Sequence, residues 1–179
     1  MHLLRPTETQ MSGWKANVFN ALVFQLGWFA AVFLHNQLAV LILGFGLLLH
    51  WIFISHDKQE WIIIFLFGAI GYCHDFILTA LGYMQFQTNS TSSYLSSLTF
   101  PPTWLFFLWL LFATTLLHSF NALVKRPFLL CSLVLIAGPA NYLAGAKLGA
   151  VVLSPPMPWL LSVSWPIGFL LLHYYLKRR

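Results

Sequence analysis

Of the chain's 179 residues, 59% are hydrophobic and only 7% charged, against about a quarter charged in soluble domains. Charges that sparse cannot cover a water-facing surface, so an ordinary soluble fold is excluded and lipid is the solvent the composition calls for. Nine basic residues against four acidic ones leave a net charge of +5, but they form short clusters between apolar runs. That is a pattern of membrane topology, with no arm or patch suited to nucleic acid.

A helix needs about 20 apolar residues to cross the hydrocarbon core. The first such run, about 17–34, follows Arg5 and Lys15 and is too long for a signal-peptide core, so it reads as an uncleaved first span. It ends at His35-Asn36-Gln37. The second, about 38–55, closes at His56-Asp57-Lys58-Gln59-Glu60, and the third, about 61–83, opens on Trp61. An uncharged polar loop follows, from Gln85 to Pro101-Pro102. Within it Asn89-Ser90-Thr91 has the form of a glycosylation sequon, which matters only in a secretory lumen; a plain polar loop is the favoured reading. The fourth run, about 103–123, stops at Lys125-Arg126-Pro127. The fifth, about 128–151, is broken at Gly138-Pro139, and the sixth, about 157–176, runs out at Lys177-Arg178-Arg179. Trp104, Trp109, Trp159, Trp165, Tyr83 and Tyr94 read in part as interfacial anchors.

Six spans collect Arg5, Lys15, Lys58, Lys125, Arg126, Lys177, Arg178 and Arg179 on one side and leave only Lys147 near the other. The positive-inside rule makes the first side cytoplasmic, and adding or dropping a span would scatter the basic residues. The expectation is an all-α polytopic bundle of six transmembrane helices, a single domain over residues 1–179, with both termini cytoplasmic. Cys73 and Cys131 lie inside apolar runs without a CxxC, which speaks against a redox pair. There is no phosphate-cradling glycine loop, no GxSxG and no HExxH.

Ionisable groups at membrane depth are costly and default to functional hypotheses. Asp75 lies about 21 Å along its helix from Trp61, past the midplane toward the outer side. Gly68, Gly71, Asp75 and Gly82 share a small, polar face suited to helix packing. The fifth run has a matching face in Gly138, Asn141, Gly145 and Gly149. A first candidate cluster is therefore Asp75 with Asn141, Tyr142 and Lys147, with Ser162 and Ser164 at similar depth. It is either hydrogen-bonded glue between the third and fifth helices or a substrate, proton or catalytic site. His74 points about 100° away from Asp75. The doublets His56-Asp57 and His74-Asp75 resemble the HD signature of metal phosphohydrolases, but about 27 Å of helical rise separates them, too far for one metal.

A second candidate cluster lies toward the cytoplasmic side: His50, His118 and His173, with Gln25 near mid-depth. Three imidazoles at one depth can bind zinc or iron and leave a position open, with Asn20, Gln25, Ser119 and Asn121 as supporting partners. No HxxH or HxxxH pair supports this, so the sequence assigns no metal ligands and no cofactor. Hydrogen-bonded or interfacial histidines are the simpler reading.

The runs Asn20–Ala30 (NALVFQLGWFA), Phe112–Ser119 (FATTLLHS) and Gly138–Gly149 (GPANYLAGAKLG) resemble a family of bacterial inner-membrane proteins defined as a domain of unknown function. The resemblance covers nearly the whole chain. Matching residues are Gln25, Trp28, His50, Asp75, His118 and Tyr142. The chain departs from the pattern at Leu117, where members show Asn, and at His74, where they show an aliphatic residue, which weakens the case for His74 and for a polar pair at His118. The family is often encoded beside genes resembling cyclopropane-fatty-acyl-phospholipid synthases. That implies a multi-pass protein of the bacterial inner membrane with a link to membrane-lipid modification.

The favoured function is an accessory or binding component of lipid modification. Lys58, Lys125, Arg126 and the basic C-terminus would meet anionic headgroups at about 1 kcal/mol each. The partners would be the bilayer and a soluble lipid-modifying enzyme or a second copy of the chain. The rivals are an intramembrane enzyme using Asp75 or the histidines, and a small proton-coupled transporter using Asp75. Sequence does not decide whether the chain is an enzyme.

Overall fold

The structure, a computed structural model, describes residues 10–87 and 100–177. The sequon, Tyr94, Arg5, Arg178 and Arg179 lie outside the described residues. Of the described residues 79% are helical, in seven helices: α1 (Gly13–Leu34), α2 (Gln37–Phe53), α3 (Lys58–Ala80), α4 (Thr103–Leu117), the short α5 (Asn121–Val124), α6 (Pro127–Lys147) and α7 (Met157–Lys177). Three of them, α1, α3 and α6, are long and apolar enough to cross a membrane, while α2 and α4 are apolar but shorter. Large apolar side chains stand exposed on α1, α2, α3, α6 and α7, among them Leu26, Leu41, Ile70, Ile136 and Trp159. Water would not tolerate so much exposed apolar surface; hydrocarbon does.

Local sequence explains the helix boundaries. Asn36 caps α2, its Oδ1 accepting from the backbone N–H of Leu38 at 2.9 Å, and Asp57 caps α3 by accepting from Gln59 N–H at 3.0 Å. Pro127 opens α6, where its missing N–H costs nothing. Two boundaries depart from hydropathy. The Gly138-Pro139 pair does not break the fifth run, because α6 continues through Pro139 to Lys147; a single lost helical bond is tolerated inside a membrane helix. The fourth run ends at Leu117, not Leu123. The backbone turns at His118 (φ −119, ψ −85), because His118 and Ser119 are drawn to partners on α3 and α1.

Helix α4 lies at the centre of a unit with α1, α2 and α3, and α6 and α7 form a separate hairpin. Glycine makes the first unit close: a Cβ on Gly27 would come within 2.6 Å of Leu111 Cδ2, and one on Gly46 within 3.2 Å. In lipid such contact, rather than expulsion of water, holds helices together. Aromatic rings of Phe67, Trp109, Phe112, Trp165 and Phe169 join the hairpin to the unit.

A feature absent from the sequence reading closes one end. Met84–Phe86 (β1) and Val151–Leu153 (β2) pair antiparallel, with Gln85 opposite Val152. Gly82 (φ +77) and Gly149 (φ +83) make the left-handed turns that lead into the strands. Met84, Met157 and Leu161 are fully buried beneath the ribbon. The ribbon thus ties the end of α3 to the α6–α7 connection.

Candidate functional site

Two polar centres lie at opposite ends of the long helices. The first is built on Asp75, which is fully buried. Its Oδ2 accepts from Tyr142 O–H at 2.6 Å and from Trp109 Nε1–H at 2.7 Å. Its Oδ1 lies 3.0 Å from His74 Nδ1, and His74 Nε2 lies 2.9 Å from Ser164 Oγ. A neutral ring donating from Nδ1 to the carboxylate accepts at Nε2 from the serine. One carboxylate therefore gathers side chains of α3, α4 and α6, and through His74 reaches α7.

This geometry differs from the expected cluster in several places. Tyr142 is a partner of Asp75, but Asn141 and Lys147 are exposed and make no hydrogen bond to it among the described residues. The small face of α3 meets α4, not α6: Gly68 accommodates Leu110, and Gly71 accommodates the Trp109 indole. Gly138 makes room for Trp165 of its neighbour α7. Ser162 bonds back to Pro158 in its own helix. Trp109 and Trp165 are interior side chains, whereas Trp159 is 77% exposed and keeps the position of an anchor. The signal missed was that a Trp in mid-run carries a donor, which a buried acceptor on another helix can claim.

Beside this centre an aromatic cavity of about 80 Å³, lined by Trp28, Trp104, Trp109, Tyr142 and Trp165, separates α1 and α4 from the hairpin. Asn141 lines it too. The indole N–H groups of Trp104 and Trp165 are buried without a hydrogen-bond partner among the described residues.

The second centre lies at the other end, where α2 and α4 finish and α3 begins. Glu60 Oε1 sits 2.9 Å from His50 Nε2 and 2.7 Å from His118 Nε2, and the two rings are 5.1 Å apart. Beneath them, Asn20 Nδ2 lies 3.4 Å from His50 Nδ1 and donates to Thr114 Oγ1 at 2.8 Å. Ser119 Oγ lies 2.8 Å from Asn20 Oδ1 and 2.7 Å from the Asn17 carbonyl. An Asn20 amide donating to Nδ1 puts the His50 proton on Nε2, where it points at Glu60. His50 is buried, while Glu60 and His118 are partly open.

His50 and His118 thus meet, but His173 does not join them; its Nδ1 lies 2.8 Å from the Val124 carbonyl. Gln25 is exposed and makes no hydrogen bond to either ring among the described residues. His56 packs at a tilt against the Trp51 ring, and Asp57 is used as a cap. Sequence reading passed over Glu60 as a boundary charge. Asp57-x-x-Glu60 has the form of a capping box, in which the glutamate would turn back to the cap N–H. That N–H is taken instead by Ser55 Oγ at 3.2 Å, which frees Glu60 for the histidines.

Beside His118 an open pocket of about 610 Å³ is bounded by the start of α1, the end of α4, α5 and the start of α6. Asn17, Ser119, Asn121, Lys125 and Arg126 line it. Lys15 and Lys58, at the starts of α1 and α3, lie at the same end of the bundle.

Residues 17–171 match the family described as "Protein of unknown function (DUF2878)". No curated protein and no solved structure matches the chain. The chain belongs to the DUF2878 family.

Proposed function

We propose that this DUF2878 protein is a six-span protein of the bacterial inner membrane, with both termini cytoplasmic. In this reading it serves membrane-lipid modification by holding an anionic lipid headgroup at its cytoplasmic end. The observation that carries the reading is the open pocket beside His118. Lys125 and Arg126 supply positive charge, and Asn17, Ser119 and Asn121 supply hydrogen-bonding groups beside it. A phosphate needs such a set: cations to neutralise it, with neutral polar groups to orient it. Positive charge on this side also fits the topology, since Lys15, Lys58, Lys125 and Arg126 share one end while Lys147 stands at the other. A soluble lipid-modifying enzyme or a second copy of the chain would dock against the same basic face.

The test is lipid retention by the full chain in detergent, read by native mass spectrometry with phosphatidylglycerol and phosphatidylcholine in competition. The wild type retains the anionic lipid preferentially, and Lys125→Gln/Arg126→Gln loses that preference while keeping its fold. Equal retention of the two lipids by the wild type refutes the headgroup site. Reporter fusions that put the termini on different sides refute the topology.

A further inference from the structure

We infer that His50, Glu60 and His118 form a binding site for one divalent transition-metal ion, zinc or ferrous iron. The inference stands apart from the lipid reading, since its ligands are other side chains and its test another measurement.

The donor set is the first argument. Two imidazole Nε2 atoms and one carboxylate oxygen, all within 4.8 Å of one another, form the two-histidine, one-carboxylate set that binds catalytic zinc or non-haem iron and leaves positions open. The ligands come from α2, from the first turn of α3 and from the residue that ends α4. Their spacing along the chain therefore makes no motif, and only the packing of three helices assembles the set.

Geometry is the second. Zinc sits about 2.0–2.2 Å from nitrogen and oxygen ligands, so tetrahedral donors stand about 3.3 Å apart. The Nε2–Oε1 separations of 2.9 and 2.7 Å are those of hydrogen bonds. Opening these two by roughly half an ångström, and bringing the His50 and His118 Nε2 atoms, which lie within 4.8 Å of one another, to the same separation, gives the spacing an ion requires.

The surroundings are the third. A histidine ligating through Nε2 needs an acceptor at Nδ1–H, and Asn20 stands there. Turning its amide end for end presents Oδ1 to His50 and Nδ2 to Ser119, while the Thr114 hydroxyl, which donates to the Leu111 carbonyl at 2.7 Å, exchanges that bond for Oδ1, so Nε2 is freed with each side chain still hydrogen bonded. The Trp61 ring packs edge-on against His50, 5.6 Å between centroids, and shields that side. His118 also borders the open pocket, which gives the ion a way in and a place for an exchangeable ligand.

The experiment uses untagged full-length protein, stripped with chelator, reloaded anaerobically with Zn²⁺ or Fe²⁺, desalted and assayed by elemental mass spectrometry. The wild type keeps about one ion per chain, and the element retained distinguishes zinc from iron. His118→Gln and Glu60→Gln lose it, whereas His56→Gln, a histidine outside the cluster, keeps it. Asn20→Ala binds about 10–100-fold more weakly. X-ray absorption of the loaded wild type, which needs no variant to fold, shows nitrogen and oxygen neighbours at about 2.0–2.2 Å. Negligible retention by the wild type overturns the inference. So does equal retention by folded His118→Gln and Glu60→Gln, or an all-oxygen shell; the three residues are then a hydrogen-bonded clasp between helices.

Discussion

Asp75→Asn and Asp75→Ala perturb the same buried carboxylate in different ways, and the contrast between them tests whether it holds the helices together. Alanine leaves Trp109 Nε1–H, the Tyr142 hydroxyl and His74 Nδ1 facing a void. Neutral hydrogen bonds between membrane helices are worth about 0.6 kcal/mol on average, and a charged acceptor roughly doubles such a bond. The buried donors left unpaired add about 1–3 kcal/mol of desolvation each, though some recover by turning toward other acceptors. A loss of about 3–5 kcal/mol follows for alanine. Asparagine can keep Oδ1 on the Trp109 and Tyr142 donors, at 2.7 and 2.6 Å in the wild type, and offer its NH₂ to a His74 ring of the other tautomer. Only charge assistance is lost, about 1–2 kcal/mol. At about 2–4 °C per kcal/mol for a chain of this size, alanine lowers Tm by roughly 10 °C and asparagine by a few degrees. The assay is thermal unfolding of purified protein in detergent, followed by circular dichroism. An alanine variant that melts with the wild type, or an asparagine variant as damaged as alanine, refutes the reasoning.

Trp109→Phe keeps a ring against Gly71 but removes the indole donor, so it costs about 1–2 kcal/mol in the same assay and less than Asp75→Ala. Gly71→Val places methyl groups where the Trp109 indole lies. Overpacking of about 1–3 kcal/mol then lowers the melting temperature more than Gly168→Val, a position with open space around it. Gln85→Cys with Val152→Cys, on exposed side chains that face each other across the ribbon, forms a disulfide on mild oxidation. The shift appears as faster migration in non-reducing electrophoresis, and Gln85→Cys with Leu41→Cys, whose partner lies on α2 outside the ribbon, shows none.

The sequence by itself determined the helical class. Apolar runs without charge have few structural options in lipid, because every backbone group must be satisfied inside its own segment. Capping at Asn36 and Asp57 is likewise set by neighbours along the chain, although hydropathy marks these residues only as span boundaries. Asp75, Tyr142, His50 and His118 stood out because polar groups at depth need a reason. Their partners did not. Trp109 read as an interfacial ring and Glu60 as a boundary charge, since nothing local tells a side chain which helix will lie beside it. Gly71 marked a close approach, and its face was matched to the fifth run; the structure gives it to α4. Asn141, Lys147, Gln25 and His173 shared depth with the clusters but not direction. Depth follows from counting residues along one helix, whereas convergence depends on how each helix is rotated and which helix it meets. That is why the ends of the polar centres were visible in the chain, and their composition was decided by packing.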